Sequence, residues 1–549
     1  MRIFRNLTNS LISGIFFSLL IALLVANLNI NILPNWQFYL RLTLFISSIY
    51  GLASALFFLA SSFLIEFLFG RAFKIKLISP SFLSLSFSTC FLFFFILLRL
   101  NQSFYRSFFS PTMLSSLKLQ GIISLVLILN GLVFFWRYHR HRPLSIYFIL
   151  AFIFFFIGLG LMFWSRSAFP QPKYVRPKTI LISFPSPRRA TLLNLEGLSF
   201  NFLIPLIHEG KLPNFSWLME NGSWARLQTL SPTDPFVLKK SLLTGKNPYG
   251  HRCLTSQSFS FWGKKPFLEA LPRFMLFKQL TRFKILIPQP VSCQPGKDIW
   301  QILTEMNFKI ALFEPEEKAQ ADISFSPKAE KILASFFGDP SANNGLLQLA
   351  RQALGQDISL EEKAFQEKGQ SSPQVFALFL DGLNQVKTFF YKYSFPHLFG
   401  NIDQSEINRY GPIIQKYYIY YDQLIGKYLA NLREDELLII FSTHGMEPLP
   451  IWKRLVEWAL GNPLVSGHFE FAPEGVIFFY GRDVIRGQSL EKVRLVDIGP
   501  TLLYLLGLPV ARDMDGLVCS SAFRPEFSQT NPVFYISSYE EVSIKPGVR

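Results

Sequence analysis

Two imidazoles, two carboxylates and one hydroxyl in the C-terminal part of this chain are the side chains equipped to do chemistry. His444 sits in Phe441-Ser442-Thr443-His444-Gly445-Met446 and His468 in Ser466-Gly467-His468. Glu196 ends the apolar run 191–195, Asp381 ends the run 375–380, and each carboxylate is followed by glycine. Imidazole and carboxylate bind borderline dications and move protons. Thr233, in Pro232-Thr233-Asp234-Pro235, carries a hydroxyl that becomes a nucleophile only when a base or a metal activates it. Each residue also has a plainer reading. Glu196 reads as a solvated carboxylate at a strand end, Asp381 as a turn residue with Gly382, and Thr233 as part of a proline turn. Either histidine alone reads as a packed side chain. Brought together, the five would make a one-metal hydrolytic site.

The elements that must position them show as a pattern. Short β-branched or apolar runs at 179–184, 191–195, 308–313, 375–380, 437–441, 476–480 and 533–536 alternate with helical stretches at 202–208, 215–220, 345–354, 404–432 and 495–506. This alternation predicts an α/β domain over residues 179–549, with a doubly covered, largely parallel sheet. In such a domain function belongs at the carboxyl ends of the strands. Residues 255–300, rich in Phe, Pro and Lys, predict an irregular insertion.

Residues 1–169 are of another kind and predict a bundle of five transmembrane helices. The apolar runs 11–25, 42–69, 78–98, 117–135 and 144–164 mostly approach or exceed the ~20 residues that cross a bilayer. The first follows Arg2 and Arg5 but lacks a small-residue cleavage pattern, so it reads as a retained span and not as a signal peptide. Residues 1–178 hold 16 of the 54 Lys/Arg but, in Glu66, only one of the 37 Asp/Glu. The excess positive charge thus flanks apolar segments, which argues against a nucleic-acid-binding surface. Arg2/Arg5, Arg71/Lys74/Lys76 and Arg137/Arg140/Arg142 fall on one side of the spans, which predicts a cytoplasmic N-terminus. Five crossings then put the α/β domain outside, reached through a proline-punctuated linker at 170–178. Arg166, Lys173, Arg176 and Lys178 pull weakly the other way. No Asp, Glu or Lys stands isolated in mid-span, so the helices read as an anchor or lipid-facing platform. Of the four cysteines, Cys90 reads as core, and Cys253, Cys293 and Cys519 lack metal-knuckle spacing. A Cys253–Cys293 disulfide stays open if the domain is extracytoplasmic.

Ordered words along the α/β domain resemble one family. They are Gly210-Lys211-Leu212-Pro213-Asn214 with Leu218 and Gly222, Thr244-Gly245 with Pro248 and His251, Asp497 with Pro500-Thr501-Leu502, Gly507 and Pro509, and Asp513-Met514-Asp515-Gly516. Together they resemble the type I phosphodiesterase/nucleotide pyrophosphatase branch of the alkaline phosphatase superfamily, over about residues 190–252 and 375–520. The resemblance implies an enzyme with two metal ions, usually zinc, that deprotonate a hydroxyl nucleophile and clamp the phosphoryl oxygens. Carried over position by position, the first metal-binding Asp becomes Glu196 and the nucleophile becomes Pro235. The D-x-x-x-H pair becomes Asn384 and Thr388, and the Asp of S-D-H-G becomes Thr443. His444 and His468 stand unchanged as metal-ligand positions. Proline has no hydroxyl, which leaves Thr233 as a weak stand-in. An amide and a hydroxyl are poor ligands for zinc. Asp497 is expected to cap the helix that follows it.

Folding words are kept and chemical words are lost. The expectation is a membrane-anchored, catalytically degenerate homologue of these phosphodiesterases, with no cofactor. It would have a binding or assembly role outside the cytoplasm toward a protein, glycan or phospholipid-linked partner. The alternative is an active phosphodiesterase or phospho-group transferase, acting on a lipid- or glycan-linked substrate with a rebuilt site that takes zinc or manganese. A purely structural membrane subunit is a third class.

Overall fold

The computed structural model describes residues 2–69, 78–139, 146–167, 169, 178–182, 188–277, 279–291, 293, 296–315, 325–338, 345–459, 461–470 and 473–546. Apart from Lys178, the linker expected at 170–178 lies outside these residues, as do the basic positions 71–76 and 140–142. The chain forms two compact units, Met1–Tyr174 with Arg252–Gln294, and Val175–His251 with Pro295–Arg549.

Among the described residues of the first unit, five helices are long and apolar enough to cross a membrane: Ile3–Leu28, Trp36–Leu64, Pro80–Phe104, Pro111–Tyr138 and Ile146–Ser167. The first outruns its apolar stretch because polar residues near its start face inward and find partners. Asn9 Oδ1 accepts from the Ser79 N–H at 2.8 Å, and the Ser13 and Ser86 hydroxyls pair at 2.7 Å. Gly14 allows close approach to the π-helical turn Ser47–Gly51, where a Cβ would collide with the Gly51 carbonyl. Arg166 is buried and donates to the Ala26, Asn29 and Ile32 carbonyls. It thereby satisfies carbonyls at and beyond the end of the first helix that have no partner along the helix itself.

The segment expected to be irregular has a sheet of its own. Gln257–Phe261 pairs antiparallel with both Lys264–Leu268 and Leu286–Pro290. Cys253 and Cys293 are disulfide-bonded, with Cα atoms 5.6 Å apart. This segment docks on one end of the helical bundle through side chains that stand in for a missing ladder. Asn29 Oδ1 accepts from the Glu269 and Ala270 N–H groups at 2.7 and 3.0 Å, and its Nδ2 donates to the Ala270 carbonyl at 2.8 Å. Asn101 Oδ1 accepts from the Arg273 N–H at 2.7 Å, and Tyr105 donates to the Leu271 carbonyl at 2.8 Å.

The main sheet of the second unit comprises β1 (Arg189–Leu195), β2 (Ser223–Gln228), β3 (Ile310–Phe313), β4 (Val375–Leu380), β5 (Glu436–Ser442), β6 (Gly475–Tyr480), β7 (Gln488–Ser489) and β8 (Val493–Arg494). Their order is β7-β2-β6-β5-β1-β4-β3, with β8 also paired to β2. Only β6 runs against its neighbours, so the sheet is largely parallel as the alternation predicts. Helices bury one face around Leu203, Phe215, Leu354 and Phe390, and the other around Leu242, Ile302 and Leu503. Burial on both faces is why β4 and the middle of β5 read as unbroken apolar runs, while β1 mixes Thr191 and Asn194 among its leucines.

Several elements differ from the sequence reading. β2, Ser-Trp-Ala-Arg-Leu-Gln, lies near the sheet edge and alternates buried with more exposed residues, so it carries no apolar run. Lys178–Ile182 pairs with Val542–Pro546, and Tyr535–Ile536 with Val510–Ala511, in ladders apart from the main sheet. The helix expected at 404–432 is two, Gln404–Tyr410 and Pro412–Ala430, because Pro412 has no N–H to continue the first. Asp497 does not cap Ile498–Leu505. Its carboxylate accepts from the Arg494 and Leu517 N–H groups, each at 2.8 Å, and so ties two loops together.

The retained family words are tertiary clasps. Asp422, on Pro412–Ala430, accepts from the Asn214 N–H at 3.3 Å, Asn214 Nδ2 at 2.8 Å and the Phe215 N–H at 2.8 Å, capping the helix Pro213–Asn221 from a distance. Gly245 ends the helix Pro235–Thr244 at φ +64°, a conformation glycine adopts without strain. Its carbonyl accepts from the Asp515 and Gly516 N–H groups at 2.9 and 3.0 Å. The Asp515 carboxylate returns to the Asn247 N–H at 2.8 Å, and His251 pairs with Ser241 at 2.9 Å. Asp422→Ala leaves the helix donors without their acceptor and is expected to cost ~1–3 kcal/mol. The readout is a lowered thermal unfolding midpoint with helical content at ambient temperature unchanged.

Candidate functional site

β1 and β5 are parallel neighbours, paired as far as Asn194 and Phe441, so the residues that follow them meet at one edge of the sheet. There the Glu196 carboxylate is filled by the turn after β5. Oε1 accepts from the Thr443 hydroxyl at 2.6 Å and from Asn194 Nδ2 at 3.1 Å. Oε2 accepts from the Thr443 N–H at 3.0 Å and the Ser442 hydroxyl at 3.1 Å. The residue in place of the S-D-H-G aspartate is thus a double donor to the residue in place of the first aspartate.

β4 flanks β1 on its other side, which brings Asp381 to the same edge. Asp381 accepts from Asn384 Nδ2 at 3.1 Å and Gln385 Nε2 at 3.2 Å. Burial, and then the charge of Glu196, raise its pKa above the ordinary carboxylate value, against the pull of the two amides and His444. His444 is buried, stacked on Phe469 at 5.1 Å, with Nδ1 2.8 Å from the Gly445 carbonyl. Glu196, Asp381 and His444 therefore share one neighbourhood.

The remaining positions divide. Asn384 is buried, and its Oδ1 has no hydrogen-bond partner among the described residues. The Thr388 hydroxyl donates to the Asn384 carbonyl at 3.0 Å. The Thr388 carbonyl accepts from the Ser466 N–H at 2.8 Å, which hangs the His468 hairpin on the helix Gly382–Ser394. In that hairpin Gly467–His468 pairs with Glu447–Pro448. His468 is held below the ordinary imidazole pKa by burial and then by Lys453, and its Nδ1 also lacks a partner among the described residues.

The position that the resemblance assigns to the nucleophile is a helix start. Pro235 is the first residue of Pro235–Thr244, and Asp234 caps it by accepting from the Phe236 and Val237 N–H groups at 3.0 and 3.2 Å. The Thr233 hydroxyl is buried and donates to the Leu230 carbonyl at 3.2 Å. Among the described residues no three His, Cys, Asp or Glu side chains are grouped to hold a metal ion. The donor set does not fit a two-zinc centre. Both Glu196 oxygens are taken by N–H and O–H donors, and Asn384 and Thr388 offer no charge against two dications.

Sequence reading passed over Lys387. Its side chain is fully buried, and Nζ donates to the Gly197 carbonyl at 2.8 Å while lying 4.3 Å from the centre of the Phe202 ring. Tyr418 donates to the same carbonyl at 3.2 Å. Burial lowers the lysine pKa to about 7. The available signal was a lysine one residue before Thr388, on a helix face shared with Leu383 and Phe390.

A largely parallel, doubly covered sheet with its polar cluster at the strand ends defines an alkaline-phosphatase-like domain. The chain belongs to the type I phosphodiesterase / nucleotide pyrophosphatase family, whose model matches residues 190–464. One similar solved structure is murine ectonucleotide pyrophosphatase / phosphodiesterase 5, an inactive form in complex with AMP. It is 12% identical, the match covers 58% of this chain and 95% of that one, and the TM-score is 0.33. No curated protein matches the chain.

The lysine sets a pH dependence with a definite sign. Its folded pKa lies below the unfolded value of ~10.4, so between the two the unfolded chain binds the extra proton and stability rises with pH. The charged ammonium's penalty is fully present below about 7. Lys387→Met is expected to flatten the rise in unfolding midpoint over that window, as read by differential scanning fluorimetry.

Proposed function

We propose that this protein is a membrane-anchored, catalytically degenerate phosphodiesterase homologue whose α/β domain binds a protein, glycan or phospholipid-linked partner outside the cytoplasm. The observation that carries this reading is the closed circuit between Glu196 and the Ser442-Thr443 turn. Three hydrogen bonds from that turn and one from Asn194 occupy the carboxylate. Pro235 supports it by removing the hydroxyl and fixing a helix start instead. The expected result of elemental analysis on the detergent-purified chain, taken without chelator and after zinc or manganese is added, is far less than one ion per chain. Bis-p-nitrophenyl phosphate is expected to remain unhydrolysed in the same samples.

One observation favours a second reading, an active phosphodiesterase or phospho-group transferase with a rebuilt site. Asn384 Oδ1 and His468 Nδ1 are buried polar atoms with no partner among the described residues, and such atoms are normally satisfied. Tightly bound stoichiometric metal that is lost in His444→Ala or His468→Ala would select this reading.

The extracytoplasmic side has two supports. The Cys253–Cys293 disulfide suits an oxidising compartment. Arg166, which seemed to weigh toward the cytoplasm, spends its charge on helix-end carbonyls. A C-terminal reporter that folds only in an oxidising compartment is expected to be active, and one that fluoresces only in the cytoplasm is expected to be dark.

A further inference from the structure

The hairpin that carries His468 makes an excursion between its two short strands, and the excursion contains a helix, Ile451–Ala459, turned inside out. Its polar residues face the protein. Lys453 pairs with Glu470 and is 15% exposed, and Arg454 donates to the Leu449 and Leu398 carbonyls at 2.6 and 2.8 Å. Its apolar residues face out, with Ile451, Trp452, Leu455 and Trp458 exposed by 72, 59, 64 and 71%. These four recur at helical spacing and form one stripe, beside the exposed Leu398 and Leu464. A helix in water presents the opposite faces, so this one is built for a surrounding that is not water.

We propose that Ile451–Ala459 lies in the headgroup–acyl boundary of a phospholipid bilayer. The residue types fit that boundary. Two tryptophans supply rings suited to the interface, Ile451 and Leu455 supply the part that enters the acyl region, and Lys453 and Arg454 lie alongside. The occupant is argued from the chain itself. Five helices able to cross a membrane belong to the same polypeptide, so a lipid surface is permanently tethered to this domain. The helix is also tied to the candidate site, because it lies between the two strands of the hairpin that carries His468. Docking therefore turns the His468 edge toward the lipid surface, where a phospholipid-linked ligand would be met. The docking itself does not rest on whether the site is degenerate, since it requires no metal and no catalysis.

The test uses the full chain in phospholipid nanodiscs with a nitroxide label at Leu455→Cys or Trp458→Cys. Labelling is selective because the free cysteines Cys90 and Cys519 are buried. A label at the exposed polar position Glu434→Cys is the aqueous control. The expected result is a ratio of oxygen to nickel-chelate accessibility severalfold higher at 455 and 458 than at 434. High access to both reagents at 455 and 458 would mean open water. Low access to both would mean a protein contact, a second copy included. Either result overturns the proposal, and agreement between two positions guards against a local disturbance by one label.

Discussion

A carboxylate at the end of a parallel strand, partly out of water and close to a second carboxylate, must be compensated. Two-metal phosphodiesterases do this with dications. In this chain hydrogen-bond donors reach both carboxylates. Glu196 is filled from Asn194, Ser442 and Thr443, and Asp381 draws two amides. β1, β4 and β5 bring these residues to one edge, where Thr443 gives Glu196 both its O–H and its N–H. The Glu196-Gly197 turn is held from its other side by Lys387 and Tyr418.

The same economy runs through the retained motifs. Asn214, Gly245, His251 and Asp515 are involved in clasps between elements distant in sequence, and none of these clasps depends on chemistry at the strand ends. The fold of the domain rests on two buried sheet faces and a few satisfied polar clasps. The membrane unit follows the same rule in a drier setting. Asn29, Asn101, Tyr105 and Arg166 satisfy backbone groups at one end of the bundle, where bare helix ends and an added sheet would otherwise leave donors and acceptors unpaired.

Much of this was legible beforehand. The five spans, the order of apolar strands and the family words all rest on local signals, namely run length, periodicity and spacing. Where those signals are weak, the reading slipped. β2 alternates and carries Arg226, so it resembles surface. The helix Gly382–Ser394 was seen only as a motif, and the break at Pro412 was read through. The segment at 257–290 carries no clear pattern because its sheet is short and is supported by side chains just past helix ends more than 150 residues away.

The sequence by itself determined which residues can carry charge or a proton, which segments are apolar enough to enter lipid, and that Pro235 cannot be a nucleophile. These are properties of a residue type or of a contiguous stretch, and they hold in any fold. Only the tertiary structure decided that Thr443 donates to Glu196, that Lys387 is buried against Phe202, and that the apolar side of Ile451–Ala459 points away from the protein. Each of these depends on which elements pack together and on which face of a helix they cover. A side chain's partner across space is fixed by that packing, while its type is fixed by the chain.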